Sequence, residues 1–211
     1  IAFDAAGQSL PAGATTSRTW QHTCTGSNRI LFVSFYTGTA YGSITSVTYN
    51  GVAMTQVNHV TGGNEEGFLY YLVAPDTGTN NVVVTIANSN SLAGSSMSYT
   101  GASQINQPDS QTSAHSTTTS PVTTLTVVNN GSWAVLWLRN DTDGNSTAGQ
   151  GSIARIGAGS GNNQGYDSGG PLASTSYAMT VNQGGSFENW RNAASFLPAG
   201  PTYLVVAAGG S

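Results

Sequence analysis

The run Asp-Thr-Asp-Gly-Asn places three oxygen-bearing side chains at alternate positions, as the first ligands of a calcium-binding loop are placed. Asp141, Asp143 and Asn145 are therefore the candidate calcium ligands of this chain. The pattern departs from an EF-hand loop further on. Ser146 stands where the turn glycine is expected, and Ser152 stands where the last acidic ligand is expected. A plain turn rich in Asn, Asp and Gly is the alternative interpretation.

The string Asp-Ser-Gly-Gly-Pro-Leu around Ser168 resembles the segment that carries the nucleophilic serine of trypsin-like proteases. His22 and Asp76 would complete the chain order His, Asp, Ser. However, the Ala-Ala-His-Cys string of that family is absent, and a single cysteine, Cys24, cannot form its disulfide framework. We therefore predict a glycine-rich loop at this point, and no enzyme.

The remaining ionisable residues form no recognisable metal or acid–base site. His22, His59 and His115 share no short metal-ligand spacing, so no cofactor is predicted. Glu65 and Glu66 are adjacent, and adjacent residues of a strand point to opposite faces. The two carboxylates cannot flank one glycosidic bond in the manner of a glycosidase.

Two features indicate contact with sugars. Asn130, Asn140 and Asn145 each begin an Asn-x-Ser/Thr sequon and are the candidate glycosylation sites. Aromatic side chains can also stack on sugar rings. The tyrosines expected to be exposed for this purpose are Tyr36, Tyr41, Tyr70, Tyr71 and Tyr166. The alternative is that the aromatic residues belong to the core and its rim.

Composition excludes several classes of protein. Charged residues make up 7% of the 211, the net charge is −4, and there is no lysine. Five scattered arginines cannot displace the counterions of a nucleic acid. No apolar stretch approaches the roughly 20 residues that a membrane-spanning helix requires. Thr, Ser, Asn and Gly together supply 98 of the 211 residues. This composition is typical of a secreted or cell-surface β protein.

Alternating apolar segments separated by turn signals predict about twelve strands and no amphipathic helix. Residues 29–37 are apolar on both faces and predict a central, doubly covered strand. Asn50-Gly51 predicts a tight hairpin. Residues 101–120 are polar and predict a crossover loop with one edge segment. We therefore predict an all-β fold, a two-sheet antiparallel β-sandwich that is jelly-roll-like, with no repeat of fixed period.

Both ends of the sequence are apolar. Ile1 and Phe3 open the chain, and Tyr203, Leu204, Val205 and Val206 follow a Pro/Gly break at 198–201. A short apolar strand can add to the open edge of a neighbouring copy, and head-to-tail addition gives an open filament. These six residues are the predicted interface. Residues 1–197 are the predicted β-sandwich domain, and 198–211 are a C-terminal extension and candidate donor strand.

A family resemblance follows from four strings: SNRILFVSFY, ITSVTYNGVAMTQV, LYYLVAPDTGTNNVVVTI and SSMSYTGASQINQP. They resemble a group of secreted bacterial β-sandwich modules, similar to subunits of extracellular filaments. The resemblance covers about residues 1–197 and supplies no functional residues. It implies a structural subunit of an extracellular bacterial filament, with other copies of itself as partners in a helical homo-oligomer. The alternative is a carbohydrate-binding or adhesive cell-surface module.

Overall fold

The computed structural model describes residues 1–9, 13–140, 146–157 and 163–200. These residues form seventeen β-strands and one 3-10 turn at Thr39–Tyr41. The first nine strands are β1 (Ala2–Gln8), β2 (Thr15–Cys24), β3 (Ile30–Gly38), β4 (Ile44–Tyr49), β5 (Val52–Ala53), β6 (Thr55–Gly62), β7 (Glu65–Val73), β8 (Gly78–Asn90) and β9 (Leu92–Thr100). The other eight are β10 (Ser110–Thr118), β11 (Val122–Thr126), β12 (Trp133–Asn140), β13 (Thr147–Ala148), β14 (Ile153–Ile156), β15 (Asn163–Asp167), β16 (Ser176–Asn182) and β17 (Phe187–Phe196). No helix within the described ranges is long and apolar enough to cross a membrane.

Strands β1 to β9 build a sandwich of two antiparallel sheets. One sheet has the order β1-β9-β3-β7-β6, and the other has the order β2-β8-β4-β5. Alternating side chains show which face of β2 is turned toward the other sheet. Trp20, His22 and Cys24 are buried between the two sheets, whereas Gln21 and Thr23 are exposed. The predicted hairpin is confirmed: Asn50 and Gly51 have positive φ angles of 48° and 77°, and they join β4 to β5.

Strands β10 to β17 build a second sandwich. Its sheets have the orders β10-β17-β12-β15-β14 and β11-β16-β13. Alternation again selects the inward face, since Leu125 on β11 and Met179 and Val181 on β16 are buried against Leu136 of β12.

The two sandwiches share one strand order, so the chain contains an internal structural repeat. β1 corresponds to β10, β9 to β17, β3 to β12, β7 to β15 and β6 to β14 in the five-stranded sheets. In the smaller sheets β2, β8 and β4 correspond to β11, β16 and β13. The sequence shows no repeat of fixed period because topology depends on alternation and turns, and the two halves meet those demands with different residues.

The two five-stranded sheets stack on each other in the middle of the molecule. Their shared core contains Phe32 and Met97 from the first sandwich and Trp137 and Phe196 from the second. β3 and β12 are therefore covered on both faces, and every residue of β12 is buried. The expectation that residues 29–37 form a central, doubly covered strand is confirmed.

The predicted all-β, antiparallel sandwich class is confirmed. The finer expectation of a jelly-roll-like topology stays a prediction. Residues 1–197 were expected to form one two-sheet sandwich, and the described residues instead form four sheets in two sandwiches. The polar stretch 101–120, expected to be mainly a loop, contains the nine-residue edge strand β10, because its alternating Thr, Ser and Ala side chains pair with β17.

Candidate functional site

The stacked five-stranded sheets have two pairs of neighbouring edges. On one side of the molecule β6 of the first sandwich lies beside β10 of the second, and on the other side β1 lies beside β14. The internal repeat makes the two sides topologically equivalent, since β1 corresponds to β10 and β6 to β14. They differ in the side chains and backbone groups that line them.

At the β6/β10 side, two side chains form hydrogen bonds between the sandwiches. Asn58 lies at a bulge of β6, and its Nδ2 donates to the backbone oxygens of Thr112 (2.8 Å) and Ala193 (3.3 Å). The indole Nε1 of Trp190 donates to the backbone oxygen of Gly62 (2.9 Å). These bonds satisfy three backbone acceptors between the two sandwiches.

The β1/β14 side contains a groove of about 310 Å³. Its described lining comes from the far end of β1 and from the end of β14: Ala6, Gly7, Gln8, Arg155, Ile156 and Gly157. No described strand pairs with the outer edge of either β1 or β14. We call this surface the open edge.

The ladder register decides which backbone groups β1 presents at the open edge. The backbone N–H of Ser9 donates to the backbone oxygen of Gly94 (2.8 Å), so the backbone polar groups of Ser9 point toward β9. The N–H and C=O groups of successive residues point to opposite sides of an antiparallel strand, so those of Gly7 also point toward β9. The N–H and C=O groups of Ala6 and Gln8 consequently point outward, into the groove.

Phe3 and Asp4 hold β1 in its own sheet. Phe3 packs edge-on against Tyr99, with ring centroids 5.8 Å apart. The Asp4 carboxylate accepts hydrogen bonds from the backbone N–H of Thr25 (3.0 Å), from the Thr25 hydroxyl, and from Ser98 Oγ (2.7 Å). Burial works to raise the pKa of Asp4, but these hydrogen bonds outweigh it and hold the pKa below its usual value.

Arg155 links β14 to β1 and to a buried carboxylate. Its Nε donates to Asp167 Oδ2 (2.7 Å), and its guanidinium lies over the Phe3 ring, 4.5 Å from the centroid. Asp167 has no exposed surface and also accepts from the Tyr99 hydroxyl (3.1 Å) and the backbone N–H of Gly169 (2.9 Å). Burial and the neighbouring Asp167 raise the pKa of Tyr99 well above its usual value, so the phenol remains a donor.

A buried polar cluster lies behind β1, between the two sheets of the first sandwich. Ser96 Oγ donates to the backbone oxygen of Gly7 (3.3 Å) and accepts from Trp20 Nε1 (3.0 Å). His22 Nδ1 lies 2.8 Å from the same Oγ, within hydrogen-bonding distance. His22 Nε2 has no hydrogen-bond partner in the described part of the chain. Burial lowers the pKa of His22 to about 4, partly opposed by Asp4.

Both ends of the described chain meet at one corner of the molecule. The N–H of Ala199 donates to the oxygen of Gly101 (2.8 Å), and Ala102 forms a bridge with Pro198. Gly101 has φ +71°, and a Cβ built there would lie 3.3 Å from the backbone nitrogen of Ile1. Residue 200 is therefore close to the start of β1, while the groove lies at the other end of that strand.

The predicted interface residues are only partly located. Ile1 and Phe3 pack against the shared core of the two sandwiches, on the strand that forms the open edge. Tyr203, Leu204, Val205 and Val206 lie outside the described residues.

The calcium candidates Asp141, Asp143 and Asn145 also lie outside the described residues. Within the ranges that are described, no group of three His, Cys, Asp or Glu side chains is placed to hold a metal ion.

The sequons of Asn130 and Asn140 differ in how exposed their asparagine side chains are. Asn130 is exposed, and its Oδ1 accepts from the backbone N–H of Ser174 (2.8 Å), which leaves Nδ2 on the surface. Asn140 is fully buried, and its Nδ2 donates to Ser146 Oγ (2.8 Å). A glycan on Asn140 would have to break that bond and open the core, so the structure disfavours this site. Asn145 lies outside the described residues.

The protease-like order of residues does not form a triad. His22 contacts Ser96, whereas the Ser168 hydroxyl donates to the backbone oxygen of Gly170 (2.9 Å). Asp76 accepts from the side chain of Asn50 (2.8 Å). The two adjacent glutamates bind different partners: Arg139 Nη2 donates to Glu65 Oε1 (2.8 Å), and the Tyr41 hydroxyl donates to Glu66 Oε2 (3.2 Å).

The aromatic side chains do not form a sugar-stacking platform in the described part of the chain. All four tryptophans are buried, and of the tyrosines expected to be exposed, Tyr36, Tyr70 and Tyr166 are buried. Those three expectations are wrong, because the strands that carry them are covered by a neighbouring sheet. Tyr41 and Tyr71 are half-buried.

A second depression, of about 440 Å³, lies on the outer face of the β2-β8-β4-β5 sheet. Its lining is neutral and consists mainly of amide and hydroxyl side chains: Gln21, Thr48, Asn50, Gly51, Thr79, Asn80, Asn81 and Val83. It contains hydrogen-bonding groups for a sugar but no aromatic ring.

Gly7 and Arg155 were not among the functional residues predicted from the sequence. One signal for Gly7 was available, because a glycine inside a strand often marks a close approach of another backbone. A Cβ on Gly7 would lie 2.7 Å from the backbone oxygen of Gln21. Arg155 had no signal, since its partners Phe3 and Asp167 are brought to it by the stacking of the two sandwiches.

Comparison with known proteins identifies no relative of this chain: no family model, no curated protein and no solved structure matches it.

Proposed function

We propose that this protein is the structural subunit of an extracellular bacterial filament, assembled head to tail by β-strand complementation. The observation that carries the proposal is the open edge, where β1 and β14 lie beside a groove and two residues of β1 direct backbone groups into it. At the equivalent β6/β10 side, side-chain hydrogen bonds from Asn58 and Trp190 occupy backbone acceptors of Thr112 and Gly62. An unpaired strand edge beside a groove suits addition of one further strand.

The chain also carries apolar segments that could supply that strand. Residues 202–208 contain no charged side chain, and they follow the last described residue, which lies at the corner where β1 starts. The N-terminal segment, with Ile1 and Phe3, is the other candidate donor. Surface charge opposes association little, since only 7% of residues are charged and the net charge is −4. The Thr-, Ser- and Asn-rich composition supports an extracellular location.

Electron microscopy of the native material, imaged before any denaturing step, tests the proposal. We expect regular fibres whose axial repeat matches one subunit. Removal of residues 202–211 should abolish the fibres if that segment is the donor, and assembly that continues unchanged would eliminate it. Native material that is monomeric under the same conditions at all concentrations would contradict the filament function itself.

A carbohydrate-binding or adhesive module is the second candidate function. The neutral amide-rich depression on the β2-β8-β4-β5 sheet favours it, because amide and hydroxyl groups can bond sugar hydroxyls. Binding on a glycan array that is lost in Asn81→Ala, and retained in a variant of the opposite outer sheet such as Thr124→Ala, would support it. The burial of the aromatic residues makes it the weaker candidate.

A further inference from the structure

We infer that the acceptor of the added strand is the outer edge of β1, and that its occupant is the segment 202–208 of a second copy of this chain. The inference rests on the proposed function and names its interface and the exchanged terminus. Four observations support it: β1 is paired with β9 along its length, two of its residues direct backbone groups outward, the groove lies beside the layer of the five-stranded sheet, and residue 200 lies near the start of β1.

The first step is that β1 serves as acceptor and the N-terminal segment is not the donor. β1 is paired with β9 along its length, and Asp4 is held by Thr25 and Ser98. Phe3 is enclosed between the Tyr99 ring and the Arg155 guanidinium. To donate this strand the subunit would have to give up contacts with both of its sandwiches.

The second step is hydrogen bonding. Ala6 and Gln8 present N–H and C=O groups on the side away from β9, as the Ser9 to Gly94 bond fixes. An added strand that pairs with Ala6 and Gln8 becomes the sixth strand of the β1-β9-β3-β7-β6 sheet, next to β1. Main-chain bonds of this kind give affinity without requiring a particular side chain.

The third step is the chemistry of the donor. A strand beside β1 enters the layer of the five-stranded sheet, where β14 of the second sandwich covers one face. β3, the central strand of that layer, is mainly apolar on both faces. The segment 202–208 has this property, since Tyr203, Val205 and Ala207 alternate with Leu204, Val206 and Ala208. Among the described lining residues, the charged side chain is Arg155, which is paired with Asp167.

The fourth step concerns which copy supplies the segment. Residue 200 lies at the start of β1, and the groove lies at its far end, about 20 Å away at the rise of a strand. A segment running from residue 200 along its own β1 would be parallel to it, whereas every described strand pair is antiparallel. A segment from a second copy that approaches from the far end is antiparallel, and it places that copy head to tail.

Disulfide trapping between two variants that each gain one cysteine tests the assignment. Gln8→Cys and Val205→Cys, each made in the full chain, are mixed in equal amounts and oxidised; the native Cys24 is buried and remains. We expect a linked dimer in the mixture only, in at least tenfold excess over either variant alone. Gln111→Cys is the matched control, because Gln111 is an exposed glutamine on β10, the counterpart of β1 on the β6/β10 side.

A backbone variant tests the hydrogen bonds separately. Gln8→Pro removes the outward N–H and leaves the bonds from Gly7 and Ser9 to β9 in place. We expect assembly to weaken by about tenfold for the lost bond, while the melting temperature of the monomer changes by only a few degrees. Gln8→Ala keeps the N–H and should assemble as the unmodified chain does.

The outcomes separate this inference from the filament function. Fibres that form with trapping at Gln111→Cys and none at Gln8→Cys would overturn the acceptor assignment and keep the filament. A disulfide within one chain of the double variant Gln8→Cys/Val205→Cys, at dilution where no dimer forms, would show that the segment closes its own edge and would also overturn it. Absence of fibres from the unmodified chain would overturn the filament function.

Discussion

The guanidinium of Arg155 lies 4.5 Å from the centroid of the Phe3 ring, so a side chain of the second sandwich covers the first strand of the chain. The same guanidinium donates to the buried carboxylate of Asp167, which in turn accepts from Tyr99 of the first sandwich. One arginine thus connects both sandwiches at the open edge.

Removal of this arginine should destabilise the whole molecule. In Arg155→Leu the Asp167 carboxylate stays buried without its cation, so we expect the free energy of unfolding to fall by about 3 kcal/mol. Urea denaturation at neutral pH measures the change.

The double variant Arg155→Leu/Asp167→Asn is the control for this effect. It removes the unpaired charge and should recover part of the lost stability. If Asp167→Asn lowers the free energy of unfolding by the same amount in the Arg155→Leu variant as in the unmodified chain, the two side chains are not coupled.

His22 should make the protein less stable in acid. The folded state keeps its ring neutral down to about pH 4, whereas the unfolded chain takes up the proton near pH 6.5. Above pH 6.5 neither state is protonated and His22 has no effect. Between pH 6.5 and 4 only the unfolded state gains the proton, so stability falls, by about 3 kcal/mol in total.

The variant His22→Gln should remove most of this slope between pH 6.5 and 4, whatever its stability at pH 7. His59→Gln, on an exposed position of β6, is the control and should leave the slope in place. Equal slopes in all three proteins would mean that His22 is not the group responsible.

Ser95 is expected to stabilise the contact between the two sandwiches. Its Oγ accepts from the indole Nε1 of Trp137 (2.9 Å) and from Asn163 Nδ2 (3.2 Å), and all three residues are buried. Ser95→Ala leaves those donors without this acceptor, and we expect a loss of about 1–3 kcal/mol in chemical denaturation. Ser91→Ala, at an exposed site four residues earlier, should change stability by less than about 0.5 kcal/mol.

The sequons should differ in occupancy. In a host or extract that glycosylates Asn-x-Ser/Thr sites, we expect Asn130 to be modified and Asn140 to remain free, because only Asn130 exposes its amide. Mass spectrometry of tryptic or chymotryptic peptides distinguishes the two. Sugar on Asn140 of the folded protein would contradict the buried arrangement.

Local patterns predicted the strands well where alternation or turn chemistry is strong. β3 is apolar on both faces, and the structure covers it on both faces. β2 alternates, and its Trp20 and Cys24 point to the core. The Asn50-Gly51 hairpin follows from two residues that accept positive φ. Polar strands were harder to recognise: β10 contains mostly Thr and Ser, and only its pairing with β17 identifies it as a strand.

The candidate site itself depends on contacts that no local pattern contains. Asn58 of β6 donates a hydrogen bond to Ala193 of the second sandwich, 135 residues further along the chain. Arg155 reaches Phe3 across the stacked sheets.

The amino-acid sequence by itself determined that this chain forms neutral, antiparallel strands and which side of most strands faces a core, because the direction of a side chain depends only on its place in a period of two residues. The tertiary structure decided that these strands form two sandwiches of one topology and which side chains meet at the β6/β10 and β1/β14 edges. Many registers and stackings bury the same alternating residues equally well. Only long-range contacts, such as those of Asn58 and Arg155, select among them.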